Sequence, residues 1–481
     1  MSRTDEKKIP FRLESENPPA RVMWIGVLQG TWREMGIQYG QRAAKDIRIN
    51  FDIKWEKDVL RVTNEEWHKG RSKKERVKYC IPYLKRGYQE LSFLSPETIE
   101  FMEGIAEGAS VELNKSIYAD VCSNFEKIGL LNFGDLRFHP GFTEECNGLW
   151  VKGGATKTGE TFATRTAQSI LIERGGSERA RQVAYVALPK DPNARVFWAE
   201  GRAGRIGGLG AGVLNDMGVC CLTAGAQHKE ANMQMDETAA PGIRDFLLAF
   251  YGVVFSKNAR EAAERITIGT PEYRALSGRK TVLRARGCNI IFADSKECYC
   301  VEQNARHYAI RTPGYLGEKG NEYLVIANHF KYKDGSYDEN NIWHADQPMT
   351  GYDPEKEGSS SYYRFWSGMW MLRNNYGKID REMMLREIAP SHIGYDQDGK
   401  RYDPDPVTGA PTVPGTFCDH TGKRTKAHPL GTGGNVDTGV FVLNSLEVYW
   451  VPAWPCHYKD KNWNYLNLQP FSDYRRLLWG Y

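Results

Sequence analysis

The feature that most constrains this chain is an abrupt change of texture at Cys146. Ahead of it, Val77, Ile81, Leu84, Tyr88 and Leu91 recur at helical spacing, and a second helix is expected to start after Ser95-Pro96. From Cys146 onward, CNGLWVKGGATKTGETFATRTAQ reads as a strand, a turn at Lys157-Thr158-Gly159-Glu160 and a second strand. Two further hairpins follow, Asn289–Asp294 with Cys298–Gln303 and Gly439–Leu443 with Val448–Ala453. Helical patterns lie between them at about 241–266, 359–376 and 380–389. Helices first, then hairpins alternating with helical segments, favour an α+β fold over a doubly wound parallel sheet. Residues 1–20 read as a flexible leader, and residues 395–435, rich in Gly, Pro, Asp and Thr, as a long surface excursion.

With 481 residues the chain can bury a large core. Its 64 Lys and Arg against 60 Asp and Glu leave a net charge of +4, too small to argue for a nucleic-acid or acidic membrane partner. The longest apolar stretch, Phe246–Phe255, falls well short of the ~20 residues that cross a bilayer. The polar N-terminus MSRTDEKKIPFRLESENPP lacks the apolar core of a secretory signal. The expectation is therefore a cytoplasmic protein with its ten cysteines reduced. Whether it forms a homo-oligomer is left open.

Several familiar motifs fail on inspection. The stretch GRAGRIGGLGAG (Gly201–Gly212) has no G-x-G-x-x-G register and runs into the strand-like GVCCLTA, so it is not a dinucleotide loop. There is no phosphate-binding P-loop, no G-x-S-x-G elbow and no H-E-x-x-H helix. Cys298-x-Cys300 places two thiols on one face of a strand, without a second Cys/His pair at zinc spacing. Neither a metal nor a cofactor is expected on this reading.

Taken locally, Cys146 is an ordinary cysteine that follows Glu144-Glu145 and opens a hairpin. The wider spacing is more informative. Cys146, Gly153, Ala155, Thr156, Gly159 and Arg165 together resemble the nucleophile segment of the peptidase C45 family. That family includes isopenicillin N acyltransferase and is similar, more distantly, to choloylglycine hydrolases and acid ceramidase. Ile105-Ala106-Glu107-Gly108-Ala109 resembles the helix end of its pro-segment, and Gly212–Val219 its "G-x-N-E-x-G-L" segment. Gly287-Cys288-Asn289 through Asp294 and Glu302 resemble its central hairpin, and Ala327-Asn328-His329-Phe330 its "T-N-H-F" element. Val451-Pro452-Ala453 and Pro455-Cys456 resemble its closing strand. These segments follow the family's order over roughly residues 100–460. The resemblance implies an N-terminal-nucleophile (Ntn) hydrolase, a four-layer αββα sandwich of two antiparallel sheets between helices. Residues 1–145 would be a mostly helical pro-segment, cut at Glu145–Cys146 and retained as a subunit, and 146–481 the catalytic domain.

The chemistry such a chain needs is simple. A thiol on the first residue of a chain has a base on its own backbone, because a free α-amine has a pKa of ~7.7–8.0. His329 is thus not needed as a base and reads as a packed, hydrogen-bonded residue. Attack on an amide makes an oxyanion that donors must hold. By similarity, Asn328 and Asn215 are the candidates for the oxyanion hole and the pocket. Arg165, on the strand paired with that of Cys146, would favour the thiolate as a buried cation. The chain departs from the family's "G-R-N-x-D" at Thr164-Arg165-Thr166-Ala167-Gln168, where Gln168 stands in place of the aspartate near the amine. The implied activity is cleavage of a linear N-acyl amide of a small molecule through a Cys146 thioester. Acyl transfer to an amine, or a member of the family that binds without cleaving, are the alternatives; a papain-like protease lacks its sequence context.

Overall fold

The computed structural model describes residues 11–12, 22–55, 70, 72–133, 146–169, 181–207, 212–226, 242–285, 287–303, 308–331, 359–421, 433–452 and 454–481. The expected leader, apart from Phe11 and Arg12, lies outside them. Among the described residues of the first part of the chain, β1 (Phe11–Arg12) and β2 (Val22–Gly30) precede five α-helices, α1 (Trp32–Ile49), α2 (Lys73–Leu94), α3 (Pro96–Gly108), α4 (Ser110–Asn114) and α5 (Asn124–Phe133). Strands then dominate: β3 (Cys146–Gly153), β4 (Gly159–Ser169), β5 (Gln182–Pro189), β6 (Phe197–Arg202), β7 (Gly212–Asn215) and β8 (Cys220–Gly225). Next come α6 (Asp245–Val254), α7 (Ala259–Thr267), α8 (Pro271–Ser277), β9 (Cys288–Ala293), β10 (Cys298–Gln303), β11 (Tyr308–Arg311) and β12 (Tyr323–Ile326). The chain closes with α9 (Ser360–Asn374), α10 (Arg381–Met383), β13 (Gly394–Tyr395), β14 (Arg401–Tyr402), β15 (His420–Thr421), β16 (Gly433–Val442), β17 (Glu447–Pro452), β18 (Asn464–Asn467) and α11 (Gln469–Trp479).

Local chemistry explains where many of these begin. Thr31 with Glu34, and Ser72 with Glu75, form capping boxes at α1 and α2, and Ser95 caps α3 ahead of Pro96 at its first turn. The α+β expectation and the three hairpins stand. The helix expected at about 241–266 is two helices, α6 and α7, because Asn258 caps a new start with its side chain on the Glu261 amide. Sequence pattern did not single out β2 or α1.

Among the described residues, two eight-stranded sheets carry the fold. One runs β1-β18-β17-β16-β4-β3-β12 with β15 on β16, and the other runs β11-β10-β9-β8-β7-β6-β5-β2. The expectation of purely antiparallel sheets is corrected at one place: β2 pairs with β5 in parallel. That geometry follows from the chain leaving β2 through helices and crossing back to β5.

In β3 the two-residue period sends Cys146 and Trp150 toward one core and Leu149 and Val151 toward another. The first core also holds Trp450 and Phe441 from the same sheet and Trp198, Leu222 and Ile291 from the other, so it lies between the sheets. The second contains Phe365, Met369 and Leu372 of α9. Against the far face of the β2-containing sheet, Trp32 and Tyr39 of α1 and Phe101 of α3 pack with Tyr185, Phe197 and Phe250. Residues ahead of Cys146 therefore share one core with the strands behind it. No helix among the described residues is long and apolar enough to cross a membrane.

The α1–α3 contact is unusually close. Gly36 and Gly40 face Gly104 and Gly108, and a Cβ on Gly36 would sit 2.3 Å from the Phe101 carbonyl oxygen. The segment 395–435 also departs from expectation. Thr416, Phe417, Cys418 and Asp419 are buried, because Asn435 accepts from the Asp419 amide and donates to the Phe417 carbonyl.

Candidate active site

Strand register assembles a row of residues from distant parts of the sequence. Cys146 opens β3 opposite Ala167 of β4, which in turn lies opposite Asp437 of β16. A bulge between Asn435 and Asp437 sets this phase: without its extra residue, position 436 would face Ala167 instead. On the other side, β12 pairs with β3 as far as Ile326 opposite Gly148. Two residues further along the same register bring Asn328 opposite Cys146. Of the residues expected in the site, the structure thus gathers Cys146, Asn328 and Arg165.

Asn328 is oriented by its partners. The Cys146 backbone N donates to Asn328 Oδ1 at 2.9 Å, and Arg364 Nη2 donates to the same oxygen at 2.9 Å. Two donors aimed at one atom require it to be the carbonyl oxygen, which fixes the amide's orientation. Asn328 Nδ2 points the other way and donates to Gly225 O at 2.6 Å on the facing sheet. The expected role shifts accordingly, since Asn328 presents an acceptor to the Cys146 nitrogen. The Asn328 amide donates to Ser361 Oγ at 2.9 Å, and that hydroxyl lies 2.6 Å from His329 Nδ1. His329 is buried with its ring edge-on to Phe365, a packed, hydrogen-bonded residue.

Arg165 supplies the charge. It lies in β4 between Gly148 and Gly439 on the neighbouring strands, which leave room for the guanidinium. Only 1% exposed, it donates from Nε to Thr223 O at 2.8 Å and places Nη2 3.7 Å from Cys146 Sγ. A cation held at that distance favours negative charge on the sulfur. Asp437 Oδ1 is 3.8 Å from Arg165 Nη1, beyond hydrogen-bond reach, while its other oxygen accepts from Gln182 Nε2 at 2.6 Å. Burial pushes the Asp437 carboxyl up to about 7, outweighing the opposing pull of Arg165, Arg202 and the Gln182 hydrogen bond. Burial thus favours the neutral form of this carboxyl against the pull of Arg165.

The other expected residues fall elsewhere. Asn215 uses its whole amide in the turn after β7: Nδ2 donates to Val253 O and Ser256 O, and Oδ1 accepts from the Met217 and Val219 amides. With both donor hydrogens engaged it has none for an oxyanion, so a pocket role there is not supported. Gln168 lies in β4 opposite Asn435, and its side chain falls outside the described residues, as does Glu145. Cys298 and Cys300 share one face in the inter-sheet core, the packing role expected of them.

Sequence reasoning missed two members. Arg364 stands in the aromatic run Tyr362–Trp366 that reads as core, and its only signal was a charge on the buried side of α9. Asp437 had no signal at all, because its place depends on the bulge.

No family model matches the chain, and no curated protein matches it in sequence. Among solved structures it is similar to a mutant of conjugated bile acid hydrolase from Clostridium perfringens. The identity there is 10%, with 68% of this chain and 93% of that one covered at a TM-score of 0.36. A second variant of that hydrolase gives 8% identity, 68% and 88% coverage and a TM-score of 0.27. Penicillin V acylase from Agrobacterium tumefaciens gives 9% identity, 64% and 83% coverage and 0.26. Likenesses this slight bear no weight for fold or activity, and the functional case rests on the geometry of the site.

Proposed function

We propose that this chain is a self-processing Ntn amidohydrolase of four-layer αββα architecture, with Cys146 as nucleophile toward a linear N-acyl amide of a small molecule. The observation that carries this reading is the double hold on one residue. Asn328 Oδ1 accepts from the Cys146 nitrogen at 2.9 Å while Arg165 Nη2 lies 3.7 Å from its sulfur. A buried backbone N–H takes an acceptor in any residue; what a cysteine that only packs has no use for is a buried cation beside its thiol.

In self-cleavage, Cys146 Sγ attacks the Glu145 carbonyl carbon, the C–N bond breaks, and the nitrogen takes the thiol proton. Water then hydrolyses the thioester, leaving a Glu145 carboxylate and a Cys146 with free amine and thiol. In turnover the amine accepts the thiol proton and Sγ attacks the substrate carbonyl. The amine portion leaves with that proton, and water releases the acid. Asn328 Oδ1 and Arg364 would hold the new amine in place, supplying an anchor where Gln168 has replaced the aspartate. The residues ahead of Cys146 would remain as a subunit, since β2 completes an edge of one sheet.

The test is the intact mass of the purified protein. Two fragments parting at Glu145–Cys146, and one uncut chain for Cys146→Ala, are expected. Normal processing in Cys146→Ala would end the assignment.

A further inference from the structure

Away from Cys146, the segment leading into β15 and the turn after β17 bring together four side chains that the proposed reaction does not use. His392, Cys418, His420 and Cys456 each offer one ligand atom, and these atoms all lie within 4.8 Å of one another. His420 Nε2 is 3.5 Å from Cys418 Sγ and 3.3 Å from Cys456 Sγ. A tetrahedral zinc ion, with bonds of ~2.3 Å to sulfur and ~2.0–2.1 Å to nitrogen, sets its N and S donors about 3.5 Å apart. We infer that these residues form a closed Cys2His2 site for a structural zinc ion.

The surroundings have the form of a metal site. His392 Nδ1 lies 2.7 Å from Gly409 O, which fixes the tautomer and leaves Nε2 as the ligand atom. That Nε2 is buried and has no hydrogen-bond partner among the described residues. Trp454 stacks on the His420 ring with centroids 5.1 Å apart and planes 13° from parallel, holding the imidazole in its orientation. The Cys418 amide donates to Ser391 O at 3.0 Å, which ties its segment to that of His392. Two thiolates and two neutral imidazoles balance the charge of Zn²⁺ and select a borderline-soft cation over Mg²⁺ or Ca²⁺. Four protein ligands leave no position for a reacting water, so the ion's work is structural.

That work reaches the nucleophile strand. Thr416, two residues before Cys418, accepts through its carbonyl from Asn147 Nδ2 at 3.4 Å, and Asn147 follows Cys146. The ion would clamp residues 391–421 to the turn at Pro455–Tyr458 and so hold that segment against β3. The sequence expectation of no metal overlooked this set because the ligands follow no recognised spacing. Only Cys418-x-His420 is local, and Cys456 and His392 come from separate segments.

The test uses the full chain, purified under reducing conditions without a metal-affinity step. Elemental analysis should find about one zinc ion per chain. It should fall to under about a tenth of that in Cys456→Ser and in His392→Ala, while Cys146→Ala keeps the ion. Should those variants misfold, wild-type protein stripped by a chelator and titrated with Co²⁺ serves instead. Thiolate-to-cobalt charge transfer and the intense d–d bands of a tetrahedral site are expected, with a Tm that rises on refilling. Metal-free protein that gives no such spectrum, or a Cys418–Cys456 disulfide found by mass under those reducing conditions, overturns the inference. Metal content is read separately from cleavage at Glu145–Cys146, so an uncut chain that holds zinc supports this site while sinking the proposed function.

Discussion

Around Cys146, single atoms decide what each residue can do. Asn328 was singled out in the sequence by the resemblance of Ala327-Asn328-His329-Phe330, but which end of its amide meets Cys146 depends on Arg364, on α9. Asn328→Ala should therefore lower the rates of both self-cleavage and turnover by ~10²-fold or more. Arg364→Ala should act in the same direction on kcat, with little change in KM. Turnover of Asn328→Ala within about twofold of wild type would remove that residue from the mechanism. Asp437 makes a different prediction. Its carboxyl is raised from 3.8 to about 7, so the folded chain holds the proton more tightly than the unfolded one. Stability from this group is full below 3.8 and is lost as pH rises through about 7. Asp437→Asn, neutral throughout, should gain in Tm relative to wild type across that window and level off above it. A Tm difference that does not vary with pH would show that burial does not control this carboxyl.

Among the elements, α1 and α3 approach so closely that only glycine fits between them. The spacings Gly36-x-x-x-Gly40 and Gly104-x-x-x-Gly108 were not singled out in the sequence. Only the fold shows that they face each other. A Cβ on Gly40 would lie 2.4 Å from Ile105 O, a backbone atom that cannot swing aside. Gly40→Ala should destabilise the protein by roughly 2–3 kcal/mol, and Lys45→Ala on the exposed side of α1 by no more than ~0.5. Denaturant midpoints measure both, and equal midpoints would mean the helices can separate without cost. The hairpins were legible because β9–β10 and β16–β17 are short, largely apolar runs joined by the tight turns Asp294–Glu297 and Asn444–Glu447. The parallel β2–β5 pair was not, because its partners are separated by all of the first helices.

At the scale of the whole molecule, residues 22–133 supply β2 to one sheet and cover its outer face with helices, so a cut at Cys146 would divide the chain without dividing the core. The two fragments should co-elute on gel filtration in native buffer and part only in denaturant. Separation in native buffer would show that the first segment is dispensable to the fold. The sequence by itself determined what local patterning can encode: the α+β class, the hairpins, the start of α3 at Ser95-Pro96, and Cys146 at the head of a strand paired with that of Arg165. Tertiary structure alone decided the rest. The Asn328 contact with Cys146 spans 182 residues and the Gln182 contact with Asp437 spans 255. The order of strands, one bulge and the packing of two sheets bring such residues together, and no short-range pattern records them. The Cys2His2 cluster belongs to the same class, since four ligands from separate segments meet only after the chain has folded around them.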